Sequence, residues 1–464
     1  MNLFSYFDIG RRLMNASRLG LQVAGDNIAN ASTPGYARRR LELSPGMPVE
    51  VPGGWLDQGV DVARISRMQD QFVAFSLERE QGGLGESDEQ LRGLQDIQSV
   101  FGTLDGDGVA SALSAFSSEF TQLAAQPEDA GARRGAVSAA DMLARSIGDA
   151  YGRLEAQRRQ EDTATDEMVK QVNTLASELA SLNRQIVEDE GGGSVASTPR
   201  DQRTLVLQKL SELTGGVSVT GTDGRVSFEL PAGVTLVTGD NALPLETTRR
   251  ADGMLAVAAG GDGSDVTSRL RGGRLGALLS LRDDSITRSE GMLNDLATDL
   301  TQRANALTSG ARDGSGNPGG PLFVPNPPAA AGAAGFIAVN PNLLQNPSLL
   351  AVSASGAPGD GSVAASIAGL PDQASATLGG KSPAEFLADS LTRLGDDISQ
   401  TDVSHGVSQS LVDGLTQQQD SVSGVSLDEE ATNLIQNQRS FEAAAKFIEI
   451  IDLVTQTALS LVQP

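Results

Sequence analysis

The chain has 464 residues and a formal net charge of −24, which excludes nucleic acid as a partner of the whole chain because like charges repel. It has no cysteine, which excludes disulfides and thiol catalysis, and 4% aromatic residues are too few for a thick core around a ligand pocket. We find no apolar run of 18 residues that predicts a membrane span and no secretory signal pattern at the start.

The first 30 residues predict an amphipathic helix. Apolar residues recur at steps of three and four, with Leu13 and Val23 on the stripe and Ile28 beside it. The residue before a proline is disfavoured in helices, so Pro34 predicts the end of this helix. The helix carries Asn27 and Asn30 near its end, continues into a turn of Thr33, Pro34, Gly35 and Tyr36, and is followed by Arg38, Arg39 and Arg40.

The next part of the chain predicts short strands and then long helices. Residues 41–70 are extended and rich in turns, with strands near 49–51 and 60–65, and residues 81–190 are helical. Another helix covers 200–213. The apolar period then changes to two, which predicts a small antiparallel β unit over about 216–260.

Helical periodicity returns from Gly273, where leucines and an isoleucine seven residues apart predict packing on another long helix. Residues 310–380 are rich in Gly, Pro, Ala and Ser, which predicts irregular chain with a few strands in a loose surface subdomain. From residue 387 onward the chain is again helical.

The last helix carries an apolar stripe too wide for one partner. Ser426 and Glu429 predict a capping box at its start. The stripe contains Leu434, Phe441, Ile448 and Ile451. Its width predicts burial against both the N-terminal helix and neighbouring copies. The pattern alone fits an intramolecular helical hairpin in a monomer equally well.

These elements predict a mainly α fold with a small β insertion, in an elongated chain of several domains. The terminal helices form a coiled-coil core domain (1–40 plus 421–464). The remaining parts are a long-helix bundle domain with short strands (41–215 plus 270–310 plus 381–420), a small antiparallel β outer domain (216–269) and an irregular outer segment rich in Gly, Pro and Ala (311–380).

The sequence predicts no catalytic, metal-binding or cofactor-binding residues. His405 is the single histidine, and Asp402 and Ser404 are its near neighbours in the chain. A catalytic triad needs side chains that converge from separate elements, so a solvated histidine is the preferred interpretation.

Two pairs of segments carry a family resemblance. NIANASTPGY (27–36) together with LDEEATNLIQNQRSFEAAAKFIEIIDLV (427–454) resembles the axial proteins of the bacterial flagellum. RDQRTLVLQKLSELTGGVSV (200–219) and RGGRLGALLSLRDDSI (271–286) resemble the flagellar hook-associated protein 1 family. The resemblance implies a structural, non-enzymatic adaptor of the flagellum, needed for motility, that polymerises at the distal end of the hook and forms the hook-filament junction.

The resemblance also implies partners and a location. The partners are further copies in a ring, the hook protein, the second junction protein (hook-associated protein 3) and a cytoplasmic export chaperone that covers the C-terminal helix; no membrane is expected as a partner. The chain is expected outside the cell, exported by the flagellar type III route without a cleaved signal peptide.

Within such an assembly, the asparagine pair would fix register near the coiled-coil seam and the three arginines would meet carboxylates of adjoining subunits. The alternatives are a hook or distal-rod protein, an extracellular enzyme displayed on the flagellum, which no residue supports, and a free-standing coiled-coil protein.

Overall fold

The computed structural model describes residues 3–51, 54–102, 108–193, 195–261, 263–325 and 333–462. The helices are α1 (Leu3–Ala29), α2 (Gln71–Val100), α3 (Val109–Ala125), α4 (Ala130–Glu190), α5 (Ser197–Thr214), α6 (Gly273–Ser280), α7 (Ile286–Ser309), α8 (Pro341–Gln345), α9 (Ser362–Ala368), α10 (Pro383–Ser423) and α11 (Leu427–Val462). The strands are β1 (Arg39–Pro45), β2 (Val49–Val51), β3 (Gly54–Leu56), β4 (Val60–Arg67), β5 (Val217–Thr220), β6 (Val226–Leu230), β7 (Val234–Thr238), β8 (Asn241–Ala242), β9 (Leu245–Arg249), β10 (Leu255–Ala259), β11 (Phe323–Pro325) and β12 (Ile337–Val339). This is the mainly helical fold with small antiparallel sheets that the sequence predicts.

The first and last helices pack side by side. Small residues let them approach closely: a Cβ atom on Gly10 would lie 2.7 Å from Cγ1 of Ile448, and one on Gly20 would collide with Asn437. Helix α1 ends at Ala29, before the predicted stop at Pro34, because the amide of Thr33 donates to the carbonyl of Asn30 in a tight turn.

A two-part β hairpin follows α1. Strand β1 pairs with β4 in antiparallel register, and β2 pairs with β3 beyond them. Both predicted strands are present; β1 and β3 were not predicted. Helix α2 then starts at Gln71, earlier than the predicted residue 81, because the Asp70 carboxylate caps the amides of Phe72 and Val73.

The helical bundle is organised around α4. With 61 residues this helix is about 90 Å long, so it crosses two separate apolar cores. The first core combines the N-terminal half of α4 with α2, α3, α7 and the start of α10, and contains Phe116, Phe120, Leu143, Ile147 and Leu296.

The second core contains the predicted β unit. Strands β5 to β8 form an antiparallel sheet in sequential order, and β9 and β10 form a hairpin. Phe228 and Leu236 of this unit are fully buried against the C-terminal half of α4, α5 and α6. The β insertion is therefore attached to the bundle by a shared core.

The segment 311–380 differs from its prediction. It is not a loose surface subdomain, because Phe323, Leu350 and Ile367 lie in the first core together with α3 and α4. Its small residues reflect close packing: a Cβ atom on Gly361 would lie 2.3 Å from the carbonyl oxygen of Ala124. Residues 326–332 of this segment lie outside the described residues.

A buried arginine joins the bundle to the β unit. Helices α6 and α7 are connected by a π-helical turn, Leu281–Ser285, and Arg282 in this turn is fully buried. Its guanidinium donates to Asp162 of α4 at 2.7 Å, to the neighbouring Asp283, and to the carbonyl of Leu255 in β10 at 2.8 Å. The charge is thus fully paired, as burial requires.

Candidate functional site

The pair formed by α1 and α11 presents an apolar surface wider than the pair itself can cover. On α11, Ala444 and Ile451 are buried against α1. The adjoining Ile450 and Leu453 are 60% and 63% exposed, and Phe7 of α1 is also exposed. Large apolar side chains clustered in this way mark an interaction surface.

The predicted core positions lie on both helices of this pair. Val23 is buried. Like Val23, the predicted positions Ile451 and Asn27 are buried. Five further predicted apolar positions are half-buried, namely Leu13, Ile28, Leu434, Phe441 and Ile448. The capping contact at the start of α11 is present, with the amide of Glu429 3.4 Å from Oγ of Ser426.

Asn27 connects the end of α1 to the start of β1. Its buried side chain donates from Nδ2 to the carbonyl of Arg39 at 2.9 Å, and its Oδ1 accepts from the Arg39 amide at 3.0 Å. Asn30 bonds locally to the Asp26 carbonyl and accepts from Thr33. The hypothesis that this pair sets register at the coiled-coil seam stays a prediction, and within the single chain both side-chain amides bond around the turn.

The predicted turn lies between α1 and β1. Thr33, Pro34 and Gly35 are exposed, and Gly35 has a φ of +75°, which a residue with a side chain adopts only under strain. A Cβ atom there would also lie 2.5 Å from Cγ of Leu205 in α5. Glycine is thus required both by the backbone angle and by the close approach of α5.

Tyr36 closes the turn. Its hydroxyl donates to Oδ1 of Asn27 at 2.8 Å, and the Arg39 guanidinium lies 5.2 Å from the centre of its ring. Burial raises the pKa of the Tyr36 phenol, with Arg39 acting in the opposite direction. The phenol therefore stays protonated and can serve as this donor.

Arg38 binds the start of α11 in its own chain. Its guanidinium lies 2.7 Å from Oε1 of Glu430 and 2.8 Å from Oε2 of Glu429. Its backbone amide donates to the carbonyl of Ser423, the last residue of α10. The expected contact with an adjoining subunit stays a prediction for Arg38, and within the single chain its guanidinium binds carboxylates of its own chain.

Arg39 also has partners within the chain. It donates to Thr198 at 2.8 Å and lies 4.0 Å from Asp201, both in α5. Asp201 receives a stronger bond from Arg67 of β4 at 2.5 Å. Desolvation raises the pKa of Asp201, while Arg67 opposes this effect. Arg40, by contrast, is exposed, and within the described ranges it has no ion-pair partner.

Sequence reasoning missed Asp201, Arg67 and Glu430, which complete this site. Each lies among other charged residues, so the sequence does not single it out, although Asp201 lies inside the motif at 200–219. Together with Asn27 and Arg38, these residues connect several parts of the fold at one place. The connected parts are the ends of α1 and α10, the start of α11, and the elements β1, β4 and α5. The direction of the terminal helix pair is thus fixed from within the chain.

Chemical sites are not found in the part of the chain that the structure describes. No group of three or more His, Asp or Glu residues there could hold a metal ion, and no helix is long and apolar enough to cross a membrane. His405 lies on α10, with Nε2 3.8 Å from Oδ1 of Asp88 in α2. It is partly buried against α2 rather than fully solvated.

Family models match two parts of the chain. The model described as flagellar hook-associated protein FlgK helical domain matches residues 94–323, and the model described as flagellar basal body rod FlgEFG protein C-terminal matches residues 416–461. The first covers α3 to α7 with the β unit, and the second covers most of α11.

Curated relatives and a solved structure agree with these matches. Flagellar hook-associated protein 1 of Bacillus subtilis is 26% identical over 97% of this chain and 96% of its own length. The protein of the same name from Salmonella typhimurium is 27% identical over 67% of this chain and 57% of its own length. The flagellar hook junction protein FlgK from Burkholderia pseudomallei has the same fold, with a TM-score of 0.65 and 18% identity over 75% of this chain and all of that structure. The chain belongs to the flagellar hook-associated protein 1 family.

Proposed function

We propose that this chain is a structural, non-enzymatic subunit of the hook-filament junction. Copies polymerise at the distal end of the hook into a short ring-like zone. The α1–α11 pairs line the inner tube, and the bundle with its β unit forms the outer layers. The faces of the ring then meet the hook protein on one side and hook-associated protein 3 on the other.

The observation that carries this proposal is the exposed apolar face of the terminal helix pair. Ile450 and Leu453 are more than half exposed although α1 already covers the opposite side of α11. Burial of one such side chain between copies contributes roughly 1.5–3 kcal/mol, so a ring that repeats the contact is stabilised at every subunit. Before assembly, an export chaperone would cover the same face, and the chain would leave the cell by the flagellar export route.

The alternative within the same class is a hook or distal-rod protein. The match of residues 416–461 to the rod-protein model is consistent with both this alternative and the junction proposal. The match of 94–323 to the hook-associated helical domain favours the junction.

Deletion of the gene in its host tests the proposal. We expect hooks without filaments in electron micrographs and unassembled filament protein in the medium. Loss of the hooks themselves would indicate that the protein is a rod or hook subunit. Motile cells with normal filaments would overturn the proposal. Complementation with Ile450→Glu should fail, whereas Ile450→Leu, which keeps the apolar surface, should restore filaments.

A further inference from the structure

The hairpin of β2 and β3 presents large apolar side chains to solvent. Trp55 of β3, the single tryptophan of the chain, is 69% exposed, and Met47, which lies just before β2, is 84% exposed. In the antiparallel register Trp55 lies directly opposite Glu50, so the indole and the carboxylate share one face of the hairpin. An exposed tryptophan is a frequent anchor of protein interfaces, so this face is suited to docking.

The segment that carries this hairpin is also acidic. Residues 41–63 contain four acidic residues and no basic one. Glu42 and Asp61 are bound by arginines of the same chain. Glu50 has no ion pair among the described residues, so its charge is available to a partner.

The base of the β2–β3 hairpin and the three arginines lie at opposite ends of the helix pair. The Arg39 amide contacts Asn27 near the end of α1, whereas Gly59, just after β3, packs against Ile9 near its start. At 1.5 Å per residue, these two points of α1 are about 27 Å apart. Glu50 therefore cannot reach the arginines of its own chain.

A groove at the arginine end has the complementary character. It encloses about 480 Å³ between α1, α11 and β1. Its lining includes the small or apolar residues Ala16, Val23, Ala24 and Leu41, beside polar side chains of α11 and Glu430, whose carboxylate is already paired with Arg38. Arg40 also lines it, and of the three arginines this is the one without a carboxylate partner in the described parts of the chain.

We propose that the β2–β3 hairpin of one copy docks into this groove of the next copy, with Trp55 against the apolar lining and Glu50 beside Arg40. The contact joins two different surfaces, so it is head-to-tail and repeats from copy to copy around the ring. Because the two surfaces lie at opposite ends of the helix pair, neighbouring copies in the ring are staggered along the direction of that pair. This inference rests on the proposed assembly and specifies one of its contacts.

Cysteine cross-linking in purified flagella tests the docking directly, since the chain has no cysteine of its own. A chain with both Glu50→Cys and Arg40→Cys should form disulfide-linked multimers on mild oxidation. Neither single variant should do so, and a control with Glu50→Cys and Glu178→Cys, both on the surface, should remain monomeric. Multimers from a single variant would indicate contact between like surfaces and overturn the head-to-tail pairing.

The same preparation separates this inference from the proposed function. If the chain is present in the flagella but forms no cross-link that needs both cysteines, the docking alone is overturned. If the chain is absent from the flagella, both the proposed assembly and the docking are overturned.

Charge reversal supplies a second measurement. Glu50→Arg or Arg40→Glu alone should lower the number of filaments per cell about tenfold, and the two changes combined should restore it to within about twofold. Failure of the combined variant to restore filaments, with the chain folded, contradicts the pairing.

Discussion

The hydroxyl of Tyr36 lies 2.8 Å from Oδ1 of Asn27, and this hydrogen bond closes the turn between the first helix and the first strand. The same Oδ1 accepts the Arg39 amide, so one buried asparagine holds both the tyrosine and the start of β1. The arrangement converts a helix end into a fixed corner from which the chain leaves the terminal helix pair.

We expect graded losses of stability at this corner. Tyr36→Phe removes one hydrogen bond and should lower the free energy of unfolding by about 1 kcal/mol. Asn27→Ala leaves the amide and carbonyl of Arg39 without their partner and should cost about 2–4 kcal/mol. The control Asn30→Ala breaks a local, partly exposed bond and should cost less than about 1 kcal/mol. Denaturant unfolding of the purified chain measures all three, and an equal effect of the two asparagine variants would contradict the assignment.

The ion pairs of Arg38 should control the start of α11. Arg38→Gln leaves the buried carboxylate of Glu430 without its guanidinium and should destabilise the chain by about 1–3 kcal/mol. Hydrogen exchange should accelerate over residues 427–433. Arg40→Gln is the matched control, because it removes a neighbouring exposed charge and should change the stability of the monomer by less than about 0.5 kcal/mol. Unchanged exchange in Arg38→Gln would show that backbone contacts alone hold the helix.

Two glycines of α2 should respond differently to the same substitution. A Cβ atom on Gly85 would lie 2.4 Å from the backbone carbonyl oxygen of Glu212 in α5, whereas one on Gly83 would meet only Oγ of Ser408 at 3.7 Å. Gly85→Ala should therefore push α2 and α5 apart and cost about 1–3 kcal/mol. Gly83→Ala should stabilise the helix by up to about 1 kcal/mol. Thermal unfolding of the two variants gives the comparison, and a loss in both would contradict it.

The terminal helices and the β unit could be predicted because their signals are local. Apolar spacing of three and four residues in α1 and α11, and of two between residues 216 and 260, reports directly which face is buried. The partner of Arg38 could not be predicted in this way, since Glu430 lies 392 residues away in the chain. For the same reason the sequence did not show that Arg38, which was expected to contact a neighbouring subunit, has carboxylate partners in its own chain.

The segment 311–380 shows a second limit of the sequence signal. Gly, Ala and Pro are common both in loose loops and where backbones pack closely, and composition does not separate the two cases. Gly361 allows α9 to approach the end of α3, and that contact brings Ile367 into the first core. The π turn around Arg282 was missed for a related reason, because the spacing of leucines continues through it without a break.

A buried carboxylate of α4 should make stability depend on pH. Glu161 is 1% exposed, and among the described residues neither of its carboxylate oxygens has a hydrogen-bond partner of ordinary geometry. The nearest cation is Arg92, 3.7 Å away. Burial raises the pKa of Glu161, and Arg92 offsets this only in part. The neighbouring Glu89 behaves in the opposite way: burial raises its pKa, but hydrogen bonds from Arg92 and Arg274 lower it below the ordinary value.

The sign of each effect follows from proton binding. The folded chain binds a proton at Glu161 more readily than the unfolded chain, so this residue costs stability as the pH rises through its raised pKa. Glu161→Gln should therefore be more stable than the parent by about 1 kcal/mol at about pH 8, with the gain disappearing below about pH 4. Glu89→Gln loses charged hydrogen bonds and should be less stable by about 1–3 kcal/mol near pH 7, with the difference shrinking as the pH falls through the lowered pKa. Denaturant unfolding from about pH 3 to 8 measures both curves, and a Glu161→Gln chain that is destabilised at every pH would show that the contact with Arg92 outweighs the cost of burial.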